Sequence, residues 1–246
     1  MLVARLARKL LRKVCSNPYD VAPDPQWAEM QRRLAEANTV VDLGCGNHPV
    51  NGATAAVDLY MDNRDRVHGG GSEIDIDEFH KTGIRFVNAS IDQPLPFQDR
   101  EFDFAYSHHV FEHVDDPETA CREAMRIAKG GVIITPSSYG EIIFGRPYHK
   151  WLVMGRNNTL FFFKKCVFED RPFGNPPIYS AKAGKYIADD SETNPFDMLL
   201  NCNGWYGGTE KSPRLARRLR QMYYSHSPIL EVVFLWKDSF DVKVFD

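Results

Sequence analysis

Residues 39–50 read TVVDLGCGNHPV, and this stretch decides the fold. Thr39 to Leu43 is a short apolar run that ends in an acid and a glycine-rich turn. That is the pattern of a buried strand followed by a tight loop. Glycines at Gly44 and Gly46 let the backbone turn sharply and approach a ligand closely.

Working outward, residues 26–37 (QWAEMQRRLAEA) predict a helix before this strand. ATAAVDLY (53–60) is a second short strand ending in an acid, Asp58. IRFVNAS (84–90), EFDFAYS (101–107) and GVIITP (131–136) are the third, fourth and fifth. Residues 116–128 (DPETACREAMRIA) read as a helix capped by Asp116, with Pro117 in its first turn and Gly130 stopping it. Strands alternating with helical stretches imply an α/β fold, a doubly wound parallel sheet with helices on both faces. EVVFLWK (231–237) and FDVKVFD (240–246) read as two strands joined through Asp238 and Ser239 as a hairpin. The sheet is therefore expected to finish with an antiparallel pair.

Residues 137–229 fall between the fifth strand and that hairpin, far more than an ordinary connection. They read as an insertion over the mouth of the sheet, with a helix at 213–224 and a strand or buried lid core at 159–163. The expected division is residues 1–25 as a basic helix and linker, and 26–246 as one domain.

The chain has 246 residues, enough for a core without disulfide staples. Its net charge of −3 gives no global attraction to nucleic acid, so no nucleic-acid partner is expected. Five widely spaced cysteines and no C-x-x-C disfavour a disulfide framework and point to a reducing compartment, hence a cytoplasmic location. In residues 1–14, Arg5, Arg8, Lys9, Arg12 and Lys13 meet no acid, while Leu2, Leu6, Leu10 and Val14 share one helical face. Such a helix can pack on its own domain, serve as a targeting peptide, or rest on an anionic membrane surface, here the inner face of a membrane.

Asp58 stands sixteen residues after Asp42, at the end of the next strand. An acid there can accept both hydroxyls of a ribose, so loop and acid together point to an adenosine-containing cofactor. The alternative is a tight turn with a capping acid. His48 and Pro49 stand where a dinucleotide site wants a further glycine, which disfavours NAD or FAD.

VVDLGCGNHP (40–49) resembles the first motif of class I S-adenosylmethionine-dependent methyltransferases, and AAVDLY (55–60) the second. LPFQDREFDFAYSHHVFEHVDDP (95–117) is similar to the stretch that marks the methyltransferase type 11 group, and KGGVIITP (129–136) to the segment ending the sheet core. The resemblance implies a Rossmann-like sheet of seven strands with the last antiparallel. It implies S-adenosylmethionine as cofactor and a methyl transfer, here expected on a hydroxyl of a small molecule or glycan. It implies a cofactor site from Asp42, Gly44, Cys45 and Gly46, from Asp58 and Leu59, from Ser90 and Ile91, and from Ser107 and His108. Ser90 stands where the family usually offers an acid to the adenine, and His48 where it has a third glycine. A non-catalytic relative that binds cofactor or a partner is the second reading.

Ser107 to His113 (SHHVFEH) follow the fourth strand, where open parallel sheets bind ligands. Methyl transfer needs positioning, and a base if the acceptor is a hydroxyl. His109, His113 and, in the insertion, His149 are the candidates, since imidazole titrates near neutrality. His109-x-x-Glu112-His113 also matches a zinc-peptidase pattern, which requires both histidines on one helix face. The methyltransferase motifs on either side outweigh it, and no metal is expected. Gly145 to Trp151 can line an acceptor pocket or pack as a lid.

Overall fold

The structure is a computed structural model that describes residues 25–59, 61, 74–144, 149–165, 179–180, 185–186 and 227–245. The expectations for residues 1–24, for the helix at 213–224 and for most of 166–226 fall outside these.

Six strands form the main sheet: β1 (Val40–Leu43), β2 (Ala55–Asp58), β3 (Arg85–Asn88), β4 (Phe104–His108), β5 (Gly130–Pro136) and β10 (Glu231–Lys237). Their order is β3-β2-β1-β4-β5-β10. The first five run parallel, and β10 lies antiparallel on β5. The order reverses between β1 and β4, which places the ligand crevice at their carboxyl ends. Among the described residues six strands, not the expected seven, make up this sheet.

Alternation along the strands sends side chains to both faces. On one face, α1 (Pro25–Glu36) packs Met30 with Val40, Phe104, Val132, Ile134 and Val233. α2 (Ile76–Lys81) covers the same sheet further along, with Phe79 against Ala56 and Cys45. On the other face, α3 (Pro117–Ile127) buries Ala120, Cys121, Ala124 and Ile127 against Val41, Val57 and Ala105. The Asp116 carboxylate accepts the Thr119 N–H at 3.0 Å, so the expected cap and the Pro117 start both hold.

A second sheet completes that face. β6 (Trp151–Arg156) and β7 (Thr159–Lys164) form a hairpin, and β11 (Asp241–Phe245) adds to β7 in parallel. Trp151, Val153, Leu160 and Phe162 enter the same core as Phe234, Trp236 and Phe240. A short ribbon, β8 (Tyr179–Ser180) with β9 (Lys185–Tyr186), is separate. α4 (Ser138–Phe144) follows β5, and α5 (Ser227–Leu230) leads into β10.

The expected closing hairpin is not formed. β10 belongs to the main sheet and β11 to the second one. A two-residue hairpin turn of the favoured kind needs φ > 0 at both central positions or a glycine. Here only Asp238 is left-handed, at φ 60°. Phe240 is drawn into the core against Phe234 and Trp236, at ring distances of 5.1 and 5.5 Å. The chain therefore crosses from one sheet to the other.

The link from β1 to β2 has no helix. Residues 44–54 run in turns, where a parallel crossover usually carries a helix. Hydrogen bonds close it: Thr54 exchanges three bonds with Val40, and Val50 N–H reaches the Asp42 carboxylate at 2.6 Å.

Candidate active site

The loop after β1 is shaped by two left-handed glycines, Gly44 (φ 83°) and Gly46 (φ 57°). A Cβ at Gly44 would stand 2.2 Å from Val110 Cγ2, so a side chain has neither the backbone nor the space. The contact ties this loop to the segment that follows β4. The N–H groups of Gly44 and Cys45 both reach the Val57 carbonyl, at 2.8 and 3.1 Å. Cys45 itself is buried against α2.

Asp58 ends β2, and its carboxylate accepts the Gly46 N–H at 2.7 Å. The Asn88 amide donates to the carbonyls of Asp58 and Leu59, both at 2.9 Å, and fixes the strand end. Leu59 is 48% exposed, an apolar side chain in the open beside the acid. Asp42 is buried, and burial pushes its carboxyl up to about 7. The Val50 N–H opposes that rise, and the charge of Asp58 adds to it.

The loop after β3 is pinned from the far side. Ser90 Oγ donates to Asp92, and Asp92 accepts the N–H groups of Asp115 and Asp116 at 2.9 and 3.2 Å. Burial works to raise the Asp92 carboxyl, but these donors outweigh it and hold it below the usual range. Ile91 packs into the core, so its side chain is not free to meet a ligand. Ser107 is buried and donates to the Leu43 carbonyl at 2.9 Å, joining β4 to β1.

Residues 109–113 form a turn, not a helix. The zinc-peptidase arrangement, with both histidines on one helical face, is therefore absent. The turn gathers histidines around one buried carboxylate. Glu112 Oε1 lies 3.2 Å from His109 Nδ1, 3.8 Å from His113 Nε2 and 3.9 Å from His149 Nε2. His113 and His149 meet edge to face at 4.7 Å. All three candidate histidines thus share one site.

His109 is left-handed, at φ 58°, and its N–H holds the Ile134 carbonyl at 2.8 Å. Its ring spans two carboxylates, Glu112 and, at 3.3 Å, Glu231 of β10. Burial alone would lower its pKa, but the two carboxylates raise it to about 10. Glu112 and Glu231 are held at about 2 against burial: Glu112 chiefly by its bond to His109, Glu231 by the imidazoles of His108 and His109 beside it. His109 is therefore a fixed imidazolium at neutral pH. His108 stacks on it at 4.4 Å and meets the edge of Trp27 from α1 at 6.3 Å. Glu141 of α4 holds His149 Nδ1, and Lys165 bonds the other Glu141 oxygen at 2.7 Å.

Glu231, Glu141, Asn88 and Val110 are neighbours of the candidate site that sequence reasoning missed. Val110 lies inside the 95–117 stretch but carries no polar group to mark it; the other three lie in no motif, and the contacts of Glu231 and Asn88 are made across long sequence separations. The missing helix after β1 did have a signal: sixteen residues from Asp42 to Asp58 leave little room for one.

Residues 41–135 match the methyltransferase type 11 family, described as a methyltransferase domain. No curated protein is a significant match. Solved structures that match include an S-adenosylmethionine-dependent methyltransferase of Thermotoga maritima, at 25% identity and TM-score 0.30, over 45% of this chain and 50% of that one. One from Mesorhizobium loti matches at 22% and 0.35, over 58% and 65%. The geranyl diphosphate C-methyltransferase of Streptomyces coelicolor, solved with S-adenosyl-L-homocysteine, matches at 21% and 0.33, over 46% and 45%. The chain thus spans about half to two thirds of these proteins. Among the described residues no helix is long and apolar enough to cross a membrane.

Proposed function

We propose that this chain, whose residues 41–135 match the methyltransferase type 11 family, transfers a methyl group from S-adenosylmethionine to a hydroxyl of a small molecule or glycan. The observation that carries the reading is the meeting of the Gly44–Gly46 loop, Asp58 and the histidine turn at the carboxyl ends of β1, β2 and β4.

The residues present fit the cofactor. Asp58 would hold the ribose hydroxyls, and exposed Leu59 would cover the base. Gly44 and Gly46 leave room for the backbone to approach the methionine end. Asp42 and Asp58 give the site acidic character, which suits a ligand with a sulfonium and an ammonium group. When bound, S-adenosylmethionine supplies an activated methyl group.

The chain's own task is orientation and handling of the acceptor proton. His109 cannot take that proton, because it is already charged and bonded on both ring nitrogens. Its charge holds Glu112 and Glu231 in place. The acceptor's proton is given up at the Glu112–His113–His149 cluster, where His113 is the exposed member at 35%. The basic residues among 1–14 would suit a membrane-bound acceptor.

One observation favours a second reading, a relative that binds cofactor without transfer. Asp58 is engaged by the Gly46 N–H, and no helix N-terminus follows the first motif. Calorimetric titration with S-adenosylmethionine and S-adenosylhomocysteine tests the proposal. Saturable one-to-one binding supports it, and absence of binding to both rejects it. Binding with no turnover over a broad hydroxyl panel favours the second reading.

A further inference from the structure

The polar side chains after β4 fall into two groups that differ in spacing. In the first, His109 Nε2 sits at hydrogen-bond distance from Glu231, and His108 stacks on the His109 ring. In that group His109 is held by both Glu112 and Glu231, while His108 Nε2 stands 3.7 Å from Glu231. In the second, the Nε2 atoms of His113 and His149 stand 3.8 and 3.9 Å from Glu112 Oε1. These separations are too long for hydrogen bonds. The three ligand atoms all lie within 4.8 Å of one another. Two ligand atoms on a tetrahedral zinc ion are separated by about 3.3 Å, given bonds of about 2.0–2.1 Å. A small closure of the group would therefore make a coordination site.

Two further observations point to a ligand. Glu112 is 1% exposed; its Oε1 is shared with His109, while its other oxygen, Oε2, has no hydrogen-bond partner among the described residues. A buried carboxylate oxygen left unsatisfied is costly, and a cation would satisfy it. His149 is braced from behind by Glu141, itself held by Lys165. A carboxylate on the distal ring nitrogen is the usual support of a metal-binding imidazole, since it fixes the tautomer and the ring direction.

We propose that Glu112, His113 and His149 bind a divalent transition-metal ion, zinc by their donor chemistry, with a fourth position open on the exposed side of His113. Two imidazoles and a carboxylate suit zinc, whereas magnesium and calcium take oxygen donors. Three protein ligands and an open position are the pattern of a catalytic site. The role, though not the binding, rests on the methyl-transfer reading. An acceptor hydroxyl at the open position would lose its proton to solvent more readily, because coordination stabilises the oxyanion.

The full chain, without a histidine tag and stripped by chelation, is titrated with Zn²⁺ against a chromophoric chelator and with Co²⁺ by absorption. The expected result is one Zn²⁺ per chain, and visible Co²⁺ bands of a low-coordinate site that Zn²⁺ bleaches. His113→Gln and His149→Gln should each weaken Zn²⁺ binding by about tenfold or more. Glu141→Gln should weaken it by about 10–100-fold without removing a ligand. His108→Gln should leave it within about threefold. If His149→Gln does not fold, exposed His113→Gln and the wild-type Co²⁺ spectrum carry the test. No stoichiometric Zn²⁺, or binding unmoved by His113→Gln, overturns the site. Loss on His108→Gln alone also overturns it, by moving the ion to the other group. No methyl donor is used, so zinc binding without cofactor binding would keep the site and reject the methyltransferase reading.

Discussion

Glu231 on the antiparallel strand β10 lies 3.3 Å from the ring of His109 at the end of β4, across 122 positions of sequence. The same ring reaches Glu112, three residues along. One imidazolium therefore joins the last strand of the main sheet to the turn that carries His113. Removing either carboxylate leaves this half-buried charge with one partner in place of two.

Glu231→Gln is expected to destabilise the chain by about 1–3 kcal/mol near pH 7 and to change its pH dependence. His109 has a folded pKa raised to about 10, above the ordinary 6.5. Its contribution is full below about 6.5 and is lost as pH rises to about 10. Glu112 and Glu231 are depressed to about 2 from 4.5, so their contribution is present above 4.5 and lost as pH falls towards 2. Thermal melting from pH 3 to 10 should show losses at both ends. His109→Gln should flatten the alkaline loss, and an unchanged slope would refute the imidazolium.

Asp42→Asn is expected to stabilise the apo chain above pH 7. The folded carboxyl holds its proton up to about pH 7, against 3.8 ordinarily, so its buried charge opposes folding above that pH. The amide oxygen can still accept the Val50 N–H. A gain of about 2–4 kcal/mol at pH 8, absent at pH 4, follows from 1.4 kcal/mol per tenfold change. Cofactor binding should weaken in the same variant, a trade of function against stability. Denaturant unfolding at the two pH values checks the first part.

Asp58→Ala should weaken S-adenosylmethionine binding by roughly 1–3 kcal/mol, the loss of a charge-assisted acceptor. It also frees the Gly46 N–H, so the loop itself should loosen. Calorimetry reads the first effect and amide hydrogen exchange at residues 44–48 the second. Unchanged affinity would remove Asp58 from the cofactor site.

Gly44→Ala should cost about 1–2 kcal/mol for a left-handed side chain, and about 1–3 more for its overlap with Val110. Val110→Ala in the same chain should recover the second part and not the first. A double-mutant cycle measured by urea unfolding separates the two, and simple additivity would show that they do not touch.

Much of this architecture is legible in the chain. The strands at Val40, Ala55 and Arg85 lie within the runs that their apolar patterns mark, and those at Phe104 and Gly130 overrun theirs by one residue, because the sheet buries all of these runs but the half-exposed Arg85–Asn88. Asp116 and Pro117 announce a helix start through local hydrogen bonding. The glycine loop and Asp58 are readable because a left-handed turn and a strand-end acid are local requirements. The two closing strands form where their patterns place them, but not as a hairpin: turn chemistry at Asp238 and Ser239 suggests one, while burial of Phe240 between two sheets decides otherwise.

The sequence by itself determined the parallel sheet, the order of its motifs and the placing of histidines at the end of β4. Each follows from preferences exerted by neighbouring residues. Only the tertiary structure decided that Glu231 and His149 come to Glu112 and His109, and that one of those histidines is a fixed cation. Those facts depend on how two sheets and α4 pack together. Burial then strengthens every charge interaction among them, and that effect has no local signature in the chain.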